Sequence, residues 1–149
     1  MSTGQGPVTD ILIVEDSPTD LLFTRRAFRD VGYDGELHVV TDGEQALDFL
    51  YRRGSFLMAP RPNVILLDLN LPRISGHEVL TQIKADPELA EIPVVVLTTS
   101  NRPEDVSISY RRYANCYVTK PIDFHEFREA IRSIGHFWMD TARIPEPRQ

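Results

Sequence analysis

The sequence predicts an α/β fold: an open, doubly wound, five-stranded parallel sheet with five helices. Three observations predict it. Two apolar runs, Val64-Ile65-Leu66-Leu67 and Val94-Val95-Val96-Leu97, are continuous rather than alternating, which is how strands covered on both faces read. Strand-like segments alternate with helix-start signals along the whole chain, the pattern of a sheet wound by helices on each side. At 149 residues the chain has the length of one domain with its own core.

The elements follow in order. Ile11-Leu12-Ile13-Val14 is the first strand. Ser17 caps the first helix, with Pro18 in the first-turn slot; Leu21, Thr24, Ala27, Phe28 and Val31 share one face, and Gly32 ends it. Leu37-His38-Val39-Val40 is the second strand, and Asp42 with Gln45 starts a helix carrying Ala46, Leu47 and Leu50. Residues 52–62 read as a long loop before the Val64 strand. Ser75 with Glu78 forms a capping box ahead of Val79, Leu80 and Ile83. After the Val94 strand, Asn101, Pro103 and Glu104 mark a fourth helix, although Val106-Ser107-Ile108-Ser109 is a poor helix former. Cys116-Tyr117-Val118 is the fifth strand. Asp123 with Glu126 opens the last helix, whose apolar face runs Phe124, Phe127, Ile131, Ile134, Trp138. The organisation expected is a flexible tail at 1–9, a domain at 10–138 and a C-terminal extension at 139–149.

Composition excludes several classes. One cysteine, Cys116, rules out an internal disulfide framework and a Cys-rich zinc site. No apolar run approaches a membrane span, and the N-terminus lacks the basic-then-apolar layout of a secretion signal. The expectation is a cytoplasmic protein with no membrane association. With 22 acidic against 16 basic residues and a net charge of −6, nucleic acid is a poor partner, because that binding runs on Lys and Arg neutralising phosphates. His38, His77, His125 and His136 show no ligand spacing and read as surface or partly packed residues.

In an open α/β sheet, ligands bind at the carboxyl ends of the strands. There the sequence places Glu15-Asp16, Asp68, Thr98-Thr99-Ser100 and, after the last strand, Lys120-Pro121. Two carboxylates ~5 Å apart repel by roughly 3 kcal/mol at an effective dielectric near 20. Either one is protonated or a cation sits among them. Oxygen ligands without His or Cys select a hard divalent ion, and Mg²⁺ suits a few carboxylates with room for water. A carboxylate beside such an ion, a lysine and a threonine hydroxyl is the equipment of phosphoryl transfer.

Together these residues resemble a response-regulator receiver domain of two-component signalling. The resemblance runs from Ile11 to about Phe137. It rests on Glu15-Asp16, on Asp68 within Leu67-Asp68-Leu69-Asn70-Leu71-Pro72 with Gly76 following, and on Thr98, Tyr117 and Lys120-Pro121. It implies the flavodoxin-like strand order 2-1-3-4-5. It implies that Asp68 accepts a phosphoryl group from a sensor histidine kinase and that Asp16, Asp68 and the Asn70 carbonyl hold Mg²⁺, with Glu15 acting through water. Lys120, Thr98 and Thr99 line the phosphoryl position, Thr98 and Tyr117 form the switch, and the Lys120-Pro121 peptide is cis. Thr99 stands where the family often has Ala or Gly, and is small enough to fit. The Phe137-Trp138 ending and the lengthened loop look like the single-domain regulators of bacterial phytochrome kinases, which form homodimers through this region. The resemblance implies output through a protein partner, since no length remains for an effector domain.

Blander and rival readings stand beside this one. Singly, Glu15-Asp16 and Asp68 are ordinary turn residues, Thr98 and Thr99 continue a strand, Lys120 is a surface lysine, and Tyr117 is half-buried packing. A haloacid-dehalogenase-type phosphatase wants Asp-x-Asp, where this chain has Asn70. A flavodoxin-like electron carrier wants a hydroxyl- and Gly-rich phosphate loop, where this chain has Glu15-Asp16-Ser17-Pro18. A scaffold that signals without phosphorylation has no need of the complete acidic set.

Overall fold

The computed structural model describes residues 10–145, so the tail expected at 1–9 and the last four residues lie outside the described part. Five parallel strands form one sheet: β1 (Asp10–Val14), β2 (Glu36–Val40), β3 (Val64–Leu67), β4 (Val94–Thr98) and β5 (Cys116–Thr119). Their spatial order is β2-β1-β3-β4-β5. The helices are α1 (Pro18–Asp30), α2 (Gly43–Tyr51), α3 (Gly76–Ala85), α4 (Pro103–Arg111) and α5 (Phe124–Gly135).

The alternation of side chains along each strand divides the core in two. Leu12, Val14, Ile65, Leu67, Val94 and Val96 face α2 and α3, meeting Ala46, Phe49, Val79, Leu80 and Ile83. Ile11, Ile13, Val64, Leu66, Val95 and Leu97 face α1 and α5, meeting Ala27, Phe28, Phe127, Ile131 and Ile134. β3 and β4 are buried at every position, which is why their apolar runs are unbroken.

Four helices start where the sequence says. Ser17, Asp42, Ser75 and Asp123 accept the backbone N–H of Asp20, Gln45, Glu78 and Glu126 at 2.8–3.2 Å. Helix α4 forms despite its composition, begun by Pro103 after an Arg102 cap that gives no side-chain bond. Its first turn is held instead by Asp105, described below. The loop at 52–62 is ordered. Arg52 takes a left-handed conformation (φ 56°) that ends α2, a 3₁₀ turn covers Gly54–Phe56, and Phe56 packs on Phe49 with ring centroids 5.5 Å apart.

Two expectations need correction or refinement. Among the described residues there is no cis peptide, so Lys120-Pro121 is trans, the isomer that the X-Pro bond intrinsically prefers by about 0.5–1 kcal/mol. The last helix continues into a π-helical turn at His136–Thr141, and Trp138, Met139 and Ile144 pack against the α1/α5 side of the core. No described helix is long and apolar enough to cross a membrane.

Candidate functional site

Register brings the strand ends level. Val14 pairs with Val40 and Leu67, and Leu67 pairs with Val96, so Glu15 and Asp68 leave the sheet side by side. Oxygens of Glu15, Asp16 and Asp68 all lie within 4.8 Å of one another. Glu15 and Asp68 are buried, at 3% and 6% exposure, while Asp16 faces solvent. The buried carboxylates are anchored locally: Glu15 Oε2 accepts Ser17 N–H at 3.1 Å, and Asp68 Oδ1 accepts Asn70 N–H at 3.1 Å.

Lys120 reaches this group from the end of β5, its backbone N–H bonded to the Thr98 carbonyl at 2.7 Å. Its ammonium donates to three carboxylates: Glu15, Asp20 at 2.9 Å and Asp68 at 3.1 Å. Burial alone pushes the Lys120 amine down, but the bonds to Glu15 and Asp20 and the charge of Asp68 outweigh it and hold it above the usual lysine range. Burial, followed by the charge of Asp68, lifts Glu15 to about 7 against Lys120's opposing pull. One ammonium thus stands against four carboxylates and bonds three of them, Glu15, Asp20 and Asp68, with Asp16 beside them. At 4.8 Å each uncompensated pair repels by about 3 kcal/mol. This oxygen-only donor set, with one member open to water, fits a hard divalent cation.

Thr98 is fully buried at the end of β4, and Thr99 is exposed. Tyr117 is half-buried and donates its hydroxyl to the Ser100 carbonyl at 2.9 Å. Ser100 Oγ donates to Asp105 Oδ2 at 2.5 Å, and Asp105 Oδ1 lies 3.2 Å from His77 Nε2. The segment after β4 is therefore tied to α4, α3 and β5 at once. Phe137 and Trp138 belong elsewhere, stacked edge to face at 5.1 Å on the end of α5.

The sequence thus brought Glu15, Asp16, Asp68 and Lys120 together as expected, with Asn70 beside Asp68. It did not reveal Asp20, which a helix-start role already explained; its signal was its place one turn beyond Asp16. Nor did it reveal the Ser100–Asp105–His77 chain, although Asp105 sits in the first turn of α4.

Residues 11–132 match the family model of the response regulator receiver domain. The chain is 43% identical over 145 residues to the response regulator Rcp1 of Synechocystis, covering 97% of this chain and 99% of that protein. It resembles the crystal structure of the phosphorylated cyanobacterial phytochrome response regulator RcpA with a TM-score of 0.90 at 39% identity, over 94% of this chain and all of that one. The Mn²⁺-bound form of Rcp1 gives a TM-score of 0.87 at 43% identity, over 93% of this chain and 99% of that one.

Proposed function

The chain belongs to the response regulator receiver domain family, and on that premise we propose that it is a single-domain response regulator phosphorylated on Asp68 by a sensor histidine kinase of the bacterial phytochrome class. The observation that carries this reading is the buried Asp68 carboxylate, 3.1 Å from the Lys120 ammonium and within 4.8 Å of the Glu15 and Asp16 oxygens. The phytochrome link is supported by RcpA, which is a phytochrome response regulator.

Asp68 supplies the attacking oxygen. Its bond to phosphorus forms as the phosphorus bond to the donor's imidazole nitrogen breaks. Lys120 is placed to neutralise oxygens of the incoming group, and Thr98, at the end of the neighbouring strand, offers it a hydroxyl; the exposed Thr99 lies at the mouth. Glu15, Asp16, Asp68 and the Asn70 carbonyl would hold Mg²⁺, which supplies charge neutralisation to the transferring phosphoryl group. That the related Rcp1 has been crystallised with Mn²⁺ supports a divalent ion in this place. Movement of Thr98 toward the phosphoryl group frees space for Tyr117 to leave the Ser100 carbonyl, altering the α4–β5 surface that a protein partner reads. Phe137, 50% exposed, and the adjoining Trp138 are proposed to contribute to a homodimer. No nucleic-acid partner is proposed.

Incubation with a small acyl phosphate and Mg²⁺, followed by intact-mass measurement, tests the reading. The expected result is a gain of one phosphoryl group that is lost with EDTA and in Asp68→Asn. Labelling that survives Asp68→Asn would defeat it.

A further inference from the structure

Building on the reading of Asp68 as phosphoacceptor, we propose that Asp20 is a positioning residue that competes with the phosphoryl group for the Lys120 ammonium and so sets how tightly the modified site holds that group. An ammonium has three protons to donate. In this structure all three have carboxylate partners: Glu15, Asp20 at 2.9 Å and Asp68 at 3.1 Å. The phosphoryl oxygen takes the place of Asp68, and because it lies farther out than the carboxylate oxygen it replaces, the ammonium must turn toward it and loosen its bond to Glu15 or to Asp20.

Solvent exposure decides which one yields. The Glu15 side chain is 4% exposed, so a Glu15 stripped of its ammonium leaves a charge with little water to receive it. The Asp20 side chain is 30% exposed. Water can replace the lysine there, and the first turn of α1 favours a free carboxylate through its unbonded N–H groups. The Asp20 backbone is held in the helix cap by its N–H bond to the Ser17 hydroxyl at 3.2 Å, which limits how far its carboxylate can follow the ammonium inward. Asp20 is therefore the partner that is released, and its hold opposes the phosphoryl group. It also adds one more negative charge near a group that is itself an anion.

The test uses the full chain and beryllium fluoride, an unreactive stand-in for a phosphoryl group on a carboxylate, titrated calorimetrically at saturating Mg²⁺. Asp20→Asn is expected to bind it roughly two- to fivefold tighter, the range of a partly exposed ion pair. Asp20→Glu, which keeps the charge, is expected to stay near the wild type. With Mn²⁺ alone the order reverses: Asp20→Asn binds the ion more weakly, because the freed ammonium leans onto Glu15 and Asp68. A merely structural loss would weaken both ligands together. Beryllium fluoride binding that is unchanged or weaker in Asp20→Asn overturns the role of Asp20. Binding absent from the wild type, or retained in full by Asp68→Asn, overturns the phosphoacceptor reading and this inference with it.

Discussion

Gly76 lies against the backbone of Asp68: a Cβ added to Gly76 would overlap the Asp68 carbonyl oxygen and come within 2.5 Å of Leu69 Cα. The start of α3 is seated directly on the strand end that carries the candidate phosphoacceptor, and the Gly76 N–H bonds the Leu69 carbonyl at 3.0 Å. Neither neighbour is a flexible side chain that can step aside. Gly76→Ala is therefore expected to cost roughly 3 kcal/mol, at the upper end for overpacked positions, as read by urea denaturation. A loss below about 0.5 kcal/mol, the range of neutral surface changes, would show that α3 can lift away.

Glu15 makes stability depend on pH in a metal-free buffer. Its carboxyl is raised by burial from 4.5 to about 7, so the folded state holds this proton more tightly than the unfolded chain does. The resulting stabilisation is complete below about 4.5 and is lost as pH rises through about 7. Relative to Glu15→Gln, the wild type is expected to lose on the order of 3 kcal/mol across that range. Thermal melts of both proteins from pH 4.5 to 8 measure it. Mg²⁺ is expected to recover stability at the alkaline end, since a ligand of the folded state alone stabilises it by mass action. A wild-type minus variant difference that stays flat with pH contradicts the raised carboxyl.

Asp105 joins three elements through two bonds, to Ser100 and His77. The Ser100 hydroxyl, then His77, holds its carboxyl below the usual range. The stability it contributes is present above about 3.8 and lost as pH falls through the lower folded value. Asp105→Ala is expected to cost roughly 1–2 kcal/mol, a charged hydrogen-bond pair discounted for partial exposure. It should also speed amide hydrogen exchange in the segment from Ser100 to Asp105. Unchanged exchange there would mean that Pro103 and backbone bonds alone fix the start of α4.

Phe137 and Trp138 are adjacent but differ in use. Trp138 packs on the α1/α5 core, whereas Phe137 is half exposed. Trp138→Ala is expected to lower stability by roughly 2 kcal/mol, less than a fully buried aromatic. Phe137→Ala loses mainly the edge-to-face contact, about 1 kcal/mol or less, yet is expected to shift sedimentation toward the monomer. A dimer that survives Phe137→Ala intact removes that residue from the interface.

What the sequence revealed tracks the range of each interaction. Strands β3 and β4 were legible because burial on both faces leaves an unbroken apolar run, and the Ser17, Asp42, Ser75 and Asp123 caps because they bond three residues away. Asp68 was legible because position at a strand end implies a place on a shared rim. Asp20 was not. Its bond to Lys120 spans 100 positions, and a carboxylate in a first helical turn has a sufficient local explanation. The same holds for Asp105. The trans Lys120-Pro121 bond corrects an expectation taken from resemblance, where the residues alone left either isomer open.

The carboxylate cluster also dates the competence of the chain during its own synthesis. Lys120 joins Glu15 across 105 positions and Asp68 across 52, so the pocket has no completed form until β5 has left the ribosome and docked on β4. A nascent chain halted before Lys120 carries the candidate acceptor aspartate but not the ammonium that answers it. The three acidic side chains gather at the ends of β1 and β3, and the charge that answers them arrives only with the last strand of the sheet.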